Sequence, residues 1–135
     1  MKSLLLCIPY LLLASCLYAQ KQYSPELVDR AKQDAAEVFK NNMEYAGAAY
    51  MPVYIERLSR LEIKTRPFNE KETYALLSSV MLIEKYNPDL VRENAQTFDP
   101  YTFNALKYAF DYSGQSDKIY RVDHTDYIIV IHPKQ

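Results

Sequence analysis

The chain has 135 residues, 49% of them hydrophobic and 24% charged, and its 16 lysines and arginines nearly balance 17 aspartates and glutamates. That is the profile of one ordinary globular domain. Gly47 and Gly114 are the only glycines, too few for a P-loop or a dinucleotide-binding turn, and the near-neutral charge supplies no basic stripe for nucleic acid.

Residues 1–19 read as an export signal: Lys2, an apolar stretch from Leu4 to Ala14, then small or neutral residues with no acid among them. The apolar core is about 11 residues, short of the roughly 20 that a helix needs to cross a bilayer. Two processing sites compete. Leu17-Tyr18-Ala19 before Gln20 is a loose signal-peptidase site, whereas Leu13-Ala14-Ser15-Cys16 has the form of a lipobox, with Cys16 as the candidate lipidation residue. The destination is the periplasm or the cell exterior, with membrane attachment only through a lipid on Cys16. Cys7 and Cys16 both fall in the signal, so a chain beginning at Gln20 has no cysteine for a disulfide or a thiol nucleophile.

Residues 20–135 are expected to form a single small α+β domain, with N-terminal amphipathic helices packed on a C-terminal three-stranded antiparallel sheet. Ser24-Pro25-Glu26 is a helix start, combining a capping hydroxyl, a first-turn proline and an acid at the positive end of the dipole. Leu27, Ala31, Ala35, Phe39 and Met43 then recur every four residues, which predicts an amphipathic helix of about 20 residues ending near Gly47. That stripe faces either its own core or, alternatively, a membrane or a partner such as another helix.

From Ala48 to Arg66 helix and strand stay open. Pro52 suits a first helical turn and Met51, Leu58 and Leu61 keep helical spacing, but Leu61 to Arg66 alternates apolar and charged residues as a strand does. Asn69 and Glu72 form a capping-box pattern, and Tyr74, Leu77, Val80 and Met81 follow, predicting a helix from Glu70 to about Tyr86 that Asn87-Pro88 stops. Residues 88–102 carry turn signals, with Phe98 and Phe103 expected to pin the connection to the core. Leu106, Tyr108, Phe110 and Tyr112 alternate strictly and predict a first strand. Lys118 to Val122 and Tyr127 to His132 predict the second and third, separated by the turn Asp123-His124-Thr125-Asp126. The apolar run from Tyr127 to Ile131 suits a strand covered on both sides.

The tail that runs through Thr97-Phe98-Asp99-Pro100, Asn104-Ala105-Leu106-Lys107-Tyr108 and Tyr120-Arg121-Val122-Asp123-His124-Thr125-Asp126-Tyr127, together with the Ala19-Gln20 junction, resembles short exported proteins of Bacteroidota bacteria. The resemblance covers the signal and about the last 40 residues. It implies an envelope protein of a Gram-negative cell and brings no activity and no site residues with it.

Ligand-type side chains cluster only at Asp123, His124 and Asp126, with His132 at the end of the third predicted strand. Two carboxylates and an imidazole suit a divalent metal, but nothing at a recognisable spacing supplies further ligands, and turn aspartates ordinarily bond their own backbone. Ser78 and Ser79 lie in no nucleophile elbow, and the acid pairs Glu70/Glu72 and Glu56/Glu62 read as caps or solvated charges. No catalytic residue, metal ligand or cofactor is assigned. Tyrosine is the compositional signal, with 13 residues and no tryptophan. Tyr108, Phe110, Tyr112, Tyr120 and Tyr127 are the candidate aromatic binding residues, set against the plainer reading that these rings pack between sheet and helices. The sequence thus points to a non-catalytic binding or assembly module of the envelope, its partner another envelope protein, a peptide or a glycan, and not nucleic acid. The alternative is a small metal-dependent or hydrolytic enzyme using the Asp123-His124-Asp126 turn.

Overall fold

A computed structural model describes residues 21–135; the predicted export signal 1–19, with the candidate lipidation residue Cys16, lies outside the described residues. Helix α1 (Pro25–Val38) begins as its residues dictate, with the Ser24 hydroxyl accepting a hydrogen bond from the Leu27 amide at 3.2 Å. It buries Ala31, Ala35 and Val38 against helix α2 (Met51–Ser59), whose Met51, Tyr54 and Ile55 face back. The apolar stripe is therefore occupied by the protein's own core, and Phe39 just beyond it stacks on Tyr54 at 5.5 Å between ring centroids.

Helix α1 is shorter than its periodicity predicts. After Val38 the Asn41 amide bonds the Tyr86 carbonyl at 3.0 Å instead of continuing the helical ladder, and the Asn87 side chain donates to the Glu37 carbonyl at 2.7 Å. A distant loop thus satisfies groups that a further helical turn would have used. Met43–Ala46 survives only as a short 3-10 turn.

The ambiguous stretch resolves into both candidates. Helix α2 ends at Ser59, and Leu61–Thr65 is strand β1. Next come β2 (Ala75–Leu76), β3 (Lys118–Arg121) and β4 (Tyr127–Ile131), in the sheet order β1-β4-β3-β2. The β1/β4 and β3/β4 pairs are antiparallel and β2 joins β3 in parallel. The class is α+β, but the sheet is four-stranded and mixed rather than a three-stranded antiparallel meander. Strand β4 lies inside it, with Ile128 to Ile131 all buried, as its unbroken apolar run requires.

Two predicted elements are absent. No helix spans 70–86. The Asn69 side chain accepts from the Lys71 amide at 3.0 Å, but the Glu72 carboxylate pairs with Arg121 in β3 rather than returning to cap a helix. Chain 75–76 is then drawn onto the sheet, and Leu77–Ser79 makes one 3-10 turn. Residues 106–112 form no strand either. The Asn104 side chain accepts from the Leu106 amide at 3.0 Å, curling Ala105–Lys107 into a 3-10 turn, and beyond it only a single bridge joins Tyr108 to Leu82. The alternation nonetheless marks the inward face, because Leu106, Tyr108 and Phe110 are buried while Ala109 and Asp111 are exposed.

The connection 88–102 is built from turns nucleated by Asn94 and Asp99, whose side chains accept from the amides of Gln96 and Tyr101. Phe98 and Phe103 pin it to the core, 5.1 Å apart between ring centroids. Beneath this irregular layer lies Lys107, its ammonium 2.6 Å from Glu93. The Tyr108 hydroxyl donates to the other Glu93 oxygen, and burial followed by that carboxylate pushes the phenol well above its usual range. Removing one member of a buried pair strands the other charge away from water. Glu93→Ala is accordingly expected to destabilise the fold by about 3 kcal/mol, and Glu93→Gln by less because it keeps hydrogen bonds to both partners. Urea unfolding followed by circular dichroism measures both; equal stability of Glu93→Ala and the parent would show that the pair does not hold the loop.

Candidate functional site

The five aromatic candidates do not form one exposed surface. Tyr108 and Phe110 are 2% and 7% exposed, inside the core, while Tyr112, Tyr120 and Tyr127 are half-buried. They belong to a ring network that runs from Tyr127 through Phe98 and Phe103 to Tyr108 and Phe110, and from Phe110 to Tyr112 and Tyr120. Most of their area stabilises the layer between sheet and loops. Tyr112, at the end of the network, borders an open groove that Phe110 also lines.

That groove, of about 590 Å³, runs between α2 and the segment 110–113. Pro52 and Val53 of the first turn of α2 form part of its wall, with Phe110 and Tyr112 opposite. Helical spacing puts Arg57 one turn further on, its guanidinium 5.0 Å from the Tyr112 ring centroid, while that of Arg60 lies at 5.5 Å. Both are within the range in which a cation is attracted to an aromatic face. Arg60 is committed to the fold: its guanidinium pairs with Glu56, Nε lying 2.9 Å from the carboxylate but buried without a hydrogen bond of its own, and Nη1 donates to the carbonyls of Tyr112 and His132 at 3.0 and 3.3 Å. Asp111 is likewise committed to Ser113 and to Lys118, and the Ser113 bonds hold its carboxyl below the usual range. Arg57 and Lys134 have no carboxylate within ion-pair distance among the described residues. The groove therefore carries surplus positive charge over an apolar floor. A smaller recess of about 370 Å³ shares Glu56, Arg60 and Lys134 with it and adds Lys21 and Tyr23.

The Tyr112 hydroxyl is buried without any hydrogen-bond partner. Burial pushes its pKa up to about 12, against the pull of Arg57 and Arg60. An orphaned buried hydroxyl costs about 1–3 kcal/mol, so the residue gives up stability that phenylalanine would keep.

The Asp123-His124-Asp126 turn joins β3 to β4 and borders another hollow of about 540 Å³, together with Phe68 and Leu76. Asp123 is occupied: one oxygen accepts from the Ser78 amide at 3.0 Å and the other from its hydroxyl at 2.6 Å. Burial raises its pKa, but the Ser78 bonds outweigh that and leave it below the usual range. His124 adopts φ 59°, the left-handed conformation that suits glycine or asparagine at a tight turn. His132 lies beyond the other end of β4, with its two ring nitrogens 2.9 Å from Asp117 and 2.8 Å from Glu62. Four candidate ligands thus divide between opposite ends of one strand, and among the described residues no group of three or more His, Cys, Asp or Glu is placed to hold a metal.

Sequence reasoning named Tyr112 but missed Arg57, Arg60 and Lys134. Arg57 and Arg60 read as solvent-facing positions of a helix, and only the fold brings segment 110–113 against them. Comparison with family models, with curated proteins and with solved structures finds no match to this chain. No helix among the described residues is long and apolar enough to cross a membrane.

Two outcomes follow from this geometry. Tyr112→Phe removes an unsatisfied hydroxyl and leaves the ring, so it is expected to raise stability by about 1 kcal/mol, read as a higher Tm; a drop in Tm would mean that the hydroxyl has a partner in solution. The second concerns pH. Asp117 and then Glu62 raise the pKa of His132. The protonated ring is thus favoured by the folded state, so its stabilisation is complete below about pH 6.5, the unfolded value, and fades as pH rises through the folded value. The Tm difference between the parent and His132→Gln should shrink as pH is raised through this window; a constant difference would show that the imidazolium does not tie the strand ends.

Proposed function

We propose that this protein is an exported component of a bacterial envelope that acts without catalysis, by binding a carboxylate-bearing peptide segment of another envelope protein in the groove between α2 and Tyr112. Export rests on the signal-like residues 1–19, and the envelope setting on the resemblance of the tail to exported Bacteroidota proteins.

The observation that carries the binding reading is Tyr112 itself. Its ring lies against two guanidinium groups beside an open groove, and its hydroxyl stays buried and unpartnered where phenylalanine would be more stable. Proteins tend to give up stability of this kind where a site needs it. The surroundings favour a ligand with both apolar and anionic parts. Phe110, Val53 and Pro52 offer apolar contact, and Arg57 and Lys134 are the cations left over once Arg60 and Lys118 have taken Glu56 and Asp111. An extended peptide carrying acidic and aromatic residues meets both demands, since a carboxylate pairs with Arg57 and a flat side chain rests beside Tyr112.

Titrating isotope-labelled protein with a short peptide of alternating glutamate and phenylalanine, and with its glutamine counterpart, tests this reading by NMR. Amides of residues 52–60 and 110–113 should shift with the acidic peptide only, and more weakly as salt is raised. Arg57→Glu should lower affinity about tenfold, or about 1.4 kcal/mol. Equal binding of the neutral peptide, or no shifts at millimolar peptide, would overturn the reading. Selective binding of an oligogalacturonate instead would replace the peptide with an acidic glycan.

A further inference from the structure

Strand β1 is an edge of the sheet. Its ladder to β4 is bracketed by hydrogen bonds from the His132 amide to the Arg60 carbonyl, at 2.9 Å, and from the Arg66 amide to the Asp126 carbonyl, at 2.7 Å. In an antiparallel pair the bonded positions alternate, so Glu62 and Lys64 turn their backbone groups toward β4. Leu61, Ile63 and Thr65 then turn theirs outward, and no loop or side chain among the described residues bonds them. Beside this edge lies a hollow of about 530 Å³, walled by Pro100 and by Tyr101, which is 86% exposed.

We infer that this edge pairs with β1 of a second copy of the chain, antiparallel and centred on Ile63, to make one continuous eight-stranded sheet. The charges on the strand select that occupant and that register. Centred on Ile63, the two-fold axis places Glu62 opposite Lys64 of the second copy, twice over, at the non-hydrogen-bonded positions where facing side chains come closest. The outward amides and carbonyls of Leu61, Ile63 and Thr65 meet their counterparts at the hydrogen-bonded positions of the same register. A shift of the axis by one residue sets Glu62 against Glu62, or Lys64 against Lys64, and like charges directly opposite are unfavourable. A lone edge lysine repels strand partners in general; here Glu62, on the same face two residues earlier, supplies the matching charge. One Glu62 oxygen is held by His132, and the other has only Lys64 of its own chain at 3.9 Å. A five-residue strand buries less than the roughly 1,200 Å² of a stable interface, so the dimer is weak and dependent on concentration.

Sedimentation equilibrium of the purified protein, from about 10 μM to about 1 mM, tests this pairing. A monomer–dimer equilibrium is expected for the parent. Lys64→Glu should weaken it about tenfold, and the double change Glu62→Lys with Lys64→Glu should restore it. Thr65→Pro, which removes an outward amide without taking a bond from the β4 ladder, should weaken it as well and serves should Lys64→Glu misfold. A parent that stays monomeric at the highest concentration overturns the inference. So does a dimer that Lys64→Glu leaves unchanged, since it would have formed through another face.

Discussion

Irregular backbone buried inside a protein must find its hydrogen-bond partners elsewhere, and much of this chain between Arg66 and Asp117 is irregular. The buried polar residues answer that demand. Arg121, 2% exposed, reaches from β3 to the carbonyls of Arg66 and Thr125 while its other nitrogens hold Glu72. Asn104 bonds the Asp34 carbonyl at 3.0 Å, and the half-buried Arg92 adds a bond to that of Leu77 at 2.8 Å. A guanidinium or a carboxamide carries several donors on one side chain, so a few such residues tie down a long stretch of turns. The apolar core is laid over these anchors: Leu77, Val80, Phe98 and Phe103 pack inward from loops that the polar contacts have already fixed.

The same economy bears on the groove. Arg60 closes α2, pairs with Glu56 and bonds the carbonyl of Tyr112, so one residue fixes both walls. With that work done by Arg60, Arg57 needs no structural partner and keeps its charge for the opening. Asp34 shows the cost that the fold accepts elsewhere: burial raises its pKa to about 6 even though Arg30 lies 2.9 Å away. Charges are tolerated inside this domain where they organise backbone.

The two edges of the sheet are treated differently. Strand β2 has only two residues, and the chain beyond it turns at once into a 3-10 segment, which leaves little to pair with. Strand β1 is longer and keeps a row of outward backbone groups, guarded only by Glu62 and Lys64. His132 links this edge to the rest of the sheet, since its ring meets Glu62 of β1 and Asp117 just before β3. The charged state of one imidazole therefore bears on how three strand ends are held together.

The α+β class, the start of α1, the β3/β4 hairpin, the doubly covered β4 and the inward face of 106–110 were legible from local features: a capping serine before a proline, turn residues, and apolar periodicity. Each depends on neighbours within a few positions. What the sequence by itself could not decide is where side chains with two uses would go. Glu72 fits a capping box as well as it fits Arg121, and Arg121, 49 residues away, prevails because a buried guanidinium demands a carboxylate. The helix at 70–86 was lost for that reason, and the end of α1 was set by Asn87 and Tyr86 from a distant loop. The groove is likewise a tertiary product. Arg57 and Tyr112 are 55 positions apart, each reads locally as an ordinary surface or core residue, and only the packing of 110–113 against α2 brings cation, ring and opening together.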